Sequence, residues 1–190
     1  MRLINHRPNL LAIAALELQP TDRILELGFG PGHAIATMAK RAPNGIVWGI
    51  DRSSDMLAQA LRRNRKSVER QRVRLGLGRF DMLPLPDASV DKILAVNVVY
   101  FWEDASAVLK EVRRVFKPGG RIAIYATDKS AMRNWKFAGA KTHRLFDGEN
   151  LAEMLRGGGF DSSVIKILSV RAGFGVPGLV ATADMPVNRT

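Results

Sequence analysis

The 190-residue chain contains no cysteine, which excludes a disulfide scaffold, a zinc finger, an iron-sulfur centre and a thiol nucleophile. A reducing compartment fits. No apolar run reaches the 18 or more residues of a membrane span, since the longest candidate, Ile93 to Trp102, has ten residues and includes Asn97. The first thirty residues also lack a basic start followed by an apolar run and a small-residue cleavage site. Asn5, His6, Pro8 and Asn9 stand where that run would lie. These absences predict a soluble, unexported, cytoplasmic protein. Internal repeats and low-complexity tracts are missing too, as is any acidic cluster spaced for magnesium, so no metal site is expected.

What is present is ordinary globular material, 46% apolar and 25% charged, which excludes wholesale disorder and collagen-like or coiled-coil architecture. The length suits one domain, residues 1–190, burying roughly 70% of its unfolded surface in one core. Charge is the unusual bulk property: 29 Lys and Arg against 18 Asp and Glu give a net charge of +11. The excess is concentrated in residues 62–74, 110–121 and 129–144, and the rest of the chain is net acidic. Such runs either solvate helix faces or attract an anionic partner, whether nucleic acid, an acidic lipid surface or a phosphorylated small molecule.

Periodicity alternates between helix and strand. Leu10, Leu11, Ala14, Ala15 and Leu18 mark one helical face, opened by Pro8 and stopped by Pro20. Strand-like runs follow at Arg23 to Leu27, Ile46 to Ile50, Val73 to Phe80, Val90 to Val99 and Arg121 to Thr127, with amphipathic segments between them. Ser53, Asp104 and Asp147 are placed to cap helices, and Lys117-Pro-Gly-Gly120 to end one. Val164 to Val170 and Leu179 to Ala183 are joined by a Gly/Pro loop too short for a parallel crossover, so they are expected to be antiparallel neighbours. The pattern predicts a mostly parallel α/β sheet covered on both faces, with ligands at the strand C-terminal ends. Asp128 to Phe146 lacks periodicity, and a connection of that length is expected to be a lid or binding element.

The strongest local signal is Ile24-Leu-Glu-Leu-Gly28-Phe-Gly30-Pro-Gly32-His33, a strand entering a glycine-rich turn that opens a helix. Its glycines let backbone approach a ligand, and the helix start offers N–H groups to a polar moiety. The dinucleotide fingerprint would require a further glycine where His33 stands. Asp51 ends the next strand, where a carboxylate can accept from both ribose hydroxyls. Phe80-Asp81, followed by Leu83-Pro-Leu-Pro86-Asp87, places a third acid where it can accept from an exocyclic amine. Each carboxylate could instead be a cap or turn residue, but all three fall at strand ends.

E-L-G-x-G-x-G at 26–32, G-I-D at 49–51, F-D-x-L-P-L-P-D at 80–87 and L-K-E-V-R-R-V-F-K-P-G-G-R at 109–121 together resemble the class I S-adenosylmethionine-dependent methyltransferases, in particular the small ubiquinone/menaquinone C-methyltransferase-like group. The resemblance spans roughly residues 20–160. It implies a Rossmann-like seven-stranded sheet with an antiparallel last strand, a helix within residues 1–20 over the site, and S-adenosylmethionine as cofactor. It puts Gly28, Gly30 and Gly32 around the methionine part and Glu26 near its amino end. Asp51 would hold the ribose, Arg52 would flank the adenine, Asp81 and Met82 would bind its edge and face, and Asn97 would border the methyl group.

The acceptor side is less legible. Asn97-Val-Val-Tyr100 lacks both prolines of the Asn-Pro-Pro-Tyr motif of amino-group methyltransferases. Tyr100, Phe101 and Trp102 would either line the mouth of the site or pack the next helix. Catalytic candidates are His143, as a general base, and Tyr100. His33 reads as a local hydrogen-bonding residue, and His6 as a contact from the N-terminus. Residues 128–147, with Trp135 and Phe137 among basic residues including Lys136 and Lys141, are expected to cover an anionic or amphipathic small-molecule substrate. The alternatives are an RNA or protein methyltransferase using the basic segments, and a non-catalytic S-adenosylmethionine-binding protein.

Overall fold

The computed structural model describes residues 6–132 and 144–187. Five parallel strands come first: β1 (Arg23–Leu27), β2 (Ile46–Asp51), β3 (Val73–Leu77), β4 (Val90–Val96) and β5 (Phe116–Thr127). β6 (Lys166–Arg171) and β7 (Pro177–Asp184) form the expected hairpin. The seven strands lie in the order β3-β2-β1-β4-β5-β7-β6, with the last strand inserted antiparallel between β5 and β6. The order reverses at β1, between β2 and β4, which opens a crevice beyond their C-terminal ends.

Alternating side chains of these strands feed two apolar layers. Ile24, Leu94, Ala123 and Tyr125 pack under α1 (His6–Ala15), α2 (His33–Arg41) and α3 (Ser54–Glu69). Leu25, Leu27, Ile93, Ile122 and Ile124 pack under α4 (Ala105–Val115) and α6 (Gly148–Gly157). A single turn, α5 (Lys129–Met132), follows β5. On α4 the stripe Val108, Leu109, Val112 and Val115 is buried, each side chain contributing about 1.5 to 3 kcal/mol. The caps fall where the sequence places them. Ser53 Oγ accepts from the Met56 N–H, Asp104 from Ala107 and Asp147 from Asn150, satisfying donors that a first helical turn leaves over.

Several boundaries differ from expectation: β3, expected to reach Phe80, ends at Leu77, and β7 extends beyond Leu179 to Ala183 at both ends. The β5 ladder starts at Phe116, five residues before Arg121, and Lys117 to Gly120 bulge out between the pairs Val90–Phe116 and Lys92–Arg121. Gly119 has φ +76° there, so the turn that the glycines foretold is a bulge inside a strand. The strand expected from Val164 begins at Lys166, because Asp161 caps a 3-10 turn at Ser162–Val164. Val99, expected in β4, instead opens a 3-10 turn at Val99–Phe101.

α1 is a layer of the fold. Ala12, Ile13 and Leu16 are fully buried, and Arg121, just past the bulge in β5, fixes its C-terminal end through the Ala15 carbonyl (3.4 Å) and Glu17 (2.6 Å). The 3-10 turn at 173–175, which joins β6 to β7 at the opposite edge, also packs on α1. The helix expected over the site thus lies flat on one sheet face, and exposed His6 starts it. Among the described residues, no helix is long and apolar enough to cross a membrane.

Candidate active site at the strand ends

β1 delivers the chain into the turn Gly28–Gly32, where all three glycines have positive φ, +72°, +50° and +76°. Two of them are walled. A Cβ on Gly28 would lie 2.5 Å from Val98, and one on Gly32 would lie 2.7 Å from Asn64 and 2.8 Å from Ala60. A Cβ on Gly30 would meet nothing within 4 Å, so the loop is open there. α3 holds the turn from the side: Arg63 Nε donates to the Pro31 carbonyl (2.8 Å) and Asn64 Nδ2 to Gly32 (3.1 Å). The sequence reading missed both residues. The available signal was Asn64 itself, a buried polar residue one turn after buried Ala60 on the inner face of α3.

Asp51 closes the other side of the loop. Its Oδ2 accepts from the Gly30 N–H at 2.8 Å and its Oδ1 from Ser53 at 3.0 Å. Glu26 lies in β1, before the turn, 2% exposed, and its Oε2 has no hydrogen-bond partner. Burial pushes its carboxyl well above the usual range, the nearby Asp51 charge raises it further, and the Ile35 N–H of α2 partly offsets both.

Beyond β2 and β3, Arg52 lies over the Phe80 ring at 5.6 Å and pairs with Glu103 at 3.5 Å. Both Asp81 oxygens are bonded by Arg79 (2.9 and 2.6 Å), which holds this carboxyl below its usual range. Met82 is 70% exposed. Leu83 to Asp87 is held by α4. Arg114 donates to the Leu83 and Leu85 carbonyls and to Asp87, and Glu111 accepts from the Leu83 N–H. The Glu-Val-Arg-Arg stretch thus acts as a clamp on the loop that follows Asp81.

At the end of β4, Asn97 adopts φ +52°, and its Oδ1 accepts from the Tyr100 hydroxyl (3.0 Å) and from the N–H and Oγ1 of Thr127 (both 3.3 Å). The Tyr100 hydroxyl also accepts from the Thr127 N–H, and burial pushes its pKa up to about 12. A phenol so buried and engaged is held neutral and serves here to fix Asn97 and Thr127. Trp102 is 1% exposed and belongs to the core, whereas Phe101 is half exposed. His143, Trp135, Lys136, Phe137 and Lys141 lie outside the described residues. The flanks of that stretch are joined to each other: Asp128 pairs with Phe146, the Lys129 N–H donates to the Phe146 carbonyl (2.8 Å), and Lys129 bonds Asp147. Arg144 reaches the Glu103 carbonyl at 3.2 Å.

A glycine turn at the sheet's switch point, an acid latched to it and a second acid at the next strand end form one constellation. The family described as "Methyltransferase domain" matches residues 25–124. The chain belongs to the class I S-adenosylmethionine-dependent methyltransferases. This methyltransferase is 32% identical to the uncharacterized methyltransferase YdaC of Bacillus subtilis (strain 168) over 182 residues, 96% of this chain and 93% of that one. It is 31% identical to the ubiquinone/menaquinone biosynthesis C-methyltransferase UbiE of Geotalea daltonii over 114 residues, 60% of this chain and 48% of the relative. Its fold is similar to the crystal structure of a SAM-dependent methyltransferase from Aquifex aeolicus, with TM-score 0.74 and 22% identity over 96% of this chain and 92% of that one. Its cofactor is S-adenosylmethionine.

Proposed function

We propose that the methyltransferase acts on a small-molecule acceptor, with the cofactor held along the glycine turn and the ends of β2 and β3. S-adenosylmethionine supplies an electrophilic methyl group on a sulfonium. The residues present fit it. Gly30 presents backbone into open space, Asp51 stands between loop and ribose position, and the orphaned Glu26 oxygen suits the amino end of a methionine tail. Asp81 accepts the adenine amine by exchanging one of its bonds to Arg79, Met82 covers the adenine face and Arg52 flanks it from its place over Phe80. Asn97, fixed by Tyr100 and Thr127, borders the reacting methyl. Transfer from an activated methyl needs alignment and exclusion of water more than covalent help.

The observation that carries the small-molecule reading is the internal use of several cations of the basic runs. Arg63 and Arg72 bond backbone carbonyls, while Arg114, Lys117 and Arg121 are paired with Asp87 and Glu111, Asp91, and Glu17 and Asp184. These cations hold loops and strands and are not available to phosphates of a polymer, whereas Arg62, Arg65, Lys66, Arg70 and Arg74 of the first run are exposed. Similarity to a quinone-biosynthesis C-methyltransferase supports the same reading. Incubating the protein with methyl-labelled S-adenosylmethionine and fractionated cell extract tests it. Label is expected in low-molecular-weight metabolites or lipids. Label confined to RNA or protein would overturn the reading.

A further inference from the structure

Glu26 carries more than the loop needs. Its side chain shares the sheet face of Ile24, Leu94 and Val96, packed beneath α1 and α2. α1 contributes the apolar Ala12, Ile13 and Leu16 there, and β4 contributes Leu94 and Val96, with half-buried Lys92 two residues further back. From α2 comes the Ile35 N–H and from β2 comes Asp51; His33 starts α2. The Asp51 side chain accepts from the Gly30 and Ser53 N–H groups. Glu26 is therefore a carboxyl with one partnerless oxygen, buried beside a carboxylate, with a single backbone donor to offset the cost of a second negative charge.

We infer that Glu26 exchanges a proton for the cofactor's α-ammonium group. Its carboxyl is neutral in the free protein and becomes the counter-ion of the ammonium when an adenosyl amino acid binds. The O–H bond of Glu26 breaks, the proton passes to solvent, and the new carboxylate accepts from the N–H groups of the ammonium. The inference rests on the cofactor placement proposed above. Two consequences follow from the charge balance. Uptake releases one proton, so affinity increases about tenfold per pH unit while free Glu26 is protonated. Selectivity also follows, because a ligand without the amino acid tail gives Glu26 no reason to ionise.

Calorimetry of S-adenosylhomocysteine binding at constant pH, in phosphate and in Tris, counts the protons from the difference in apparent enthalpy. About one proton released is expected for the wild-type protein, and none on binding 5′-methylthioadenosine, which lacks the ammonium. The Glu26→Gln protein is expected to bind S-adenosylhomocysteine more weakly, without proton release and without pH dependence. Should that variant fail to fold, the wild-type comparison of the two ligands still decides. S-adenosylhomocysteine binding with no buffer dependence would overturn the exchange while leaving the cofactor placement intact. Release that persists in Glu26→Gln would assign the proton to His33 or another group and overturn it equally. Absence of any S-adenosylhomocysteine binding would instead remove the placement on which the inference rests.

Discussion

The Asp51 carboxylate lies 2.8 Å from the Gly30 N–H and 3.0 Å from that of Ser53, tying the open point of the glycine turn to the start of α3. One side chain therefore shapes the loop and, in the placement proposed above, faces the ribose. Its replacement should act on cofactor affinity more than on the fold.

For Asp51→Ala the expected outcome is a ten- to hundredfold loss of S-adenosylhomocysteine affinity, since a carboxylate accepting hydrogen bonds contributes about 1.5 to 3 kcal/mol. Asp51→Asn keeps one acceptor oxygen and should lose less. Calorimetry on the two variants checks the order. Normal binding by the alanine protein would make Asp51 a turn residue only.

Gly32 and Gly30 separate packing from ligand approach. At Gly32 an alanine meets Asn64 and Ala60 and must keep φ +76°, costing about 1 to 2 kcal/mol for the left-handed backbone and about 1 to 3 kcal/mol for overpacking. Thermal melting of Gly32→Ala should fall by several degrees. Gly30→Ala has open space around its Cβ, so it should melt closer to wild type yet bind cofactor worse. Equal losses of stability and affinity in both variants would contradict this division.

Tyr100 predicts an alkaline signature. Burial lifts its pKa from 10 to about 12, so the folded protein favours the neutral phenol. That stabilisation is fully present below pH 10 and is lost as pH rises toward 12. Tyr100→Phe removes the titration but leaves the Thr127 N–H without its closest acceptor, costing about 1 to 3 kcal/mol at neutral pH. Denaturant titrations at pH 8 and pH 11 should therefore show the gap between wild type and Tyr100→Phe narrowing at the higher pH. A gap independent of pH would mean that the phenol is not held neutral by the fold.

Local chemistry was legible where a residue acts within a few positions of itself. Ser53, Asp104 and Asp147 cap helices through contacts three residues away, and the β6–β7 hairpin follows from a loop too short to cross over. Side chains whose partners lie far along the chain were not legible. Nothing around Tyr100 announces that its hydroxyl meets Thr127, 27 residues later, nor does Arg114 declare a grip on Leu83 to Asp87. The bulge at Lys117 to Gly120 was read as a helix-ending turn because glycines with positive φ serve both purposes, and only pairing with Val90 distinguishes them.

Arg79 and Asp81 supply the remaining prediction. They are two residues apart, and both guanidinium bonds fall on the carboxylate proposed to receive the adenine amine. If Asp81 binds adenine, Arg79 competes with it or must turn aside, and Arg79→Ala should tighten S-adenosylhomocysteine binding by roughly two- to fivefold, the scale of an exposed ion pair. Asp81→Ala should weaken it, and the double variant should resemble Asp81→Ala, because removing the arginine matters only while the carboxylate is present. Added salt should narrow the difference between Arg79→Ala and wild type, as screening weakens the competing pair. Affinity unchanged in both single variants would mean that the pair only closes the loop after β3 and that the adenine edge is bound elsewhere. Weaker binding in Arg79→Ala would instead give the arginine a direct part in holding Asp81 toward the base.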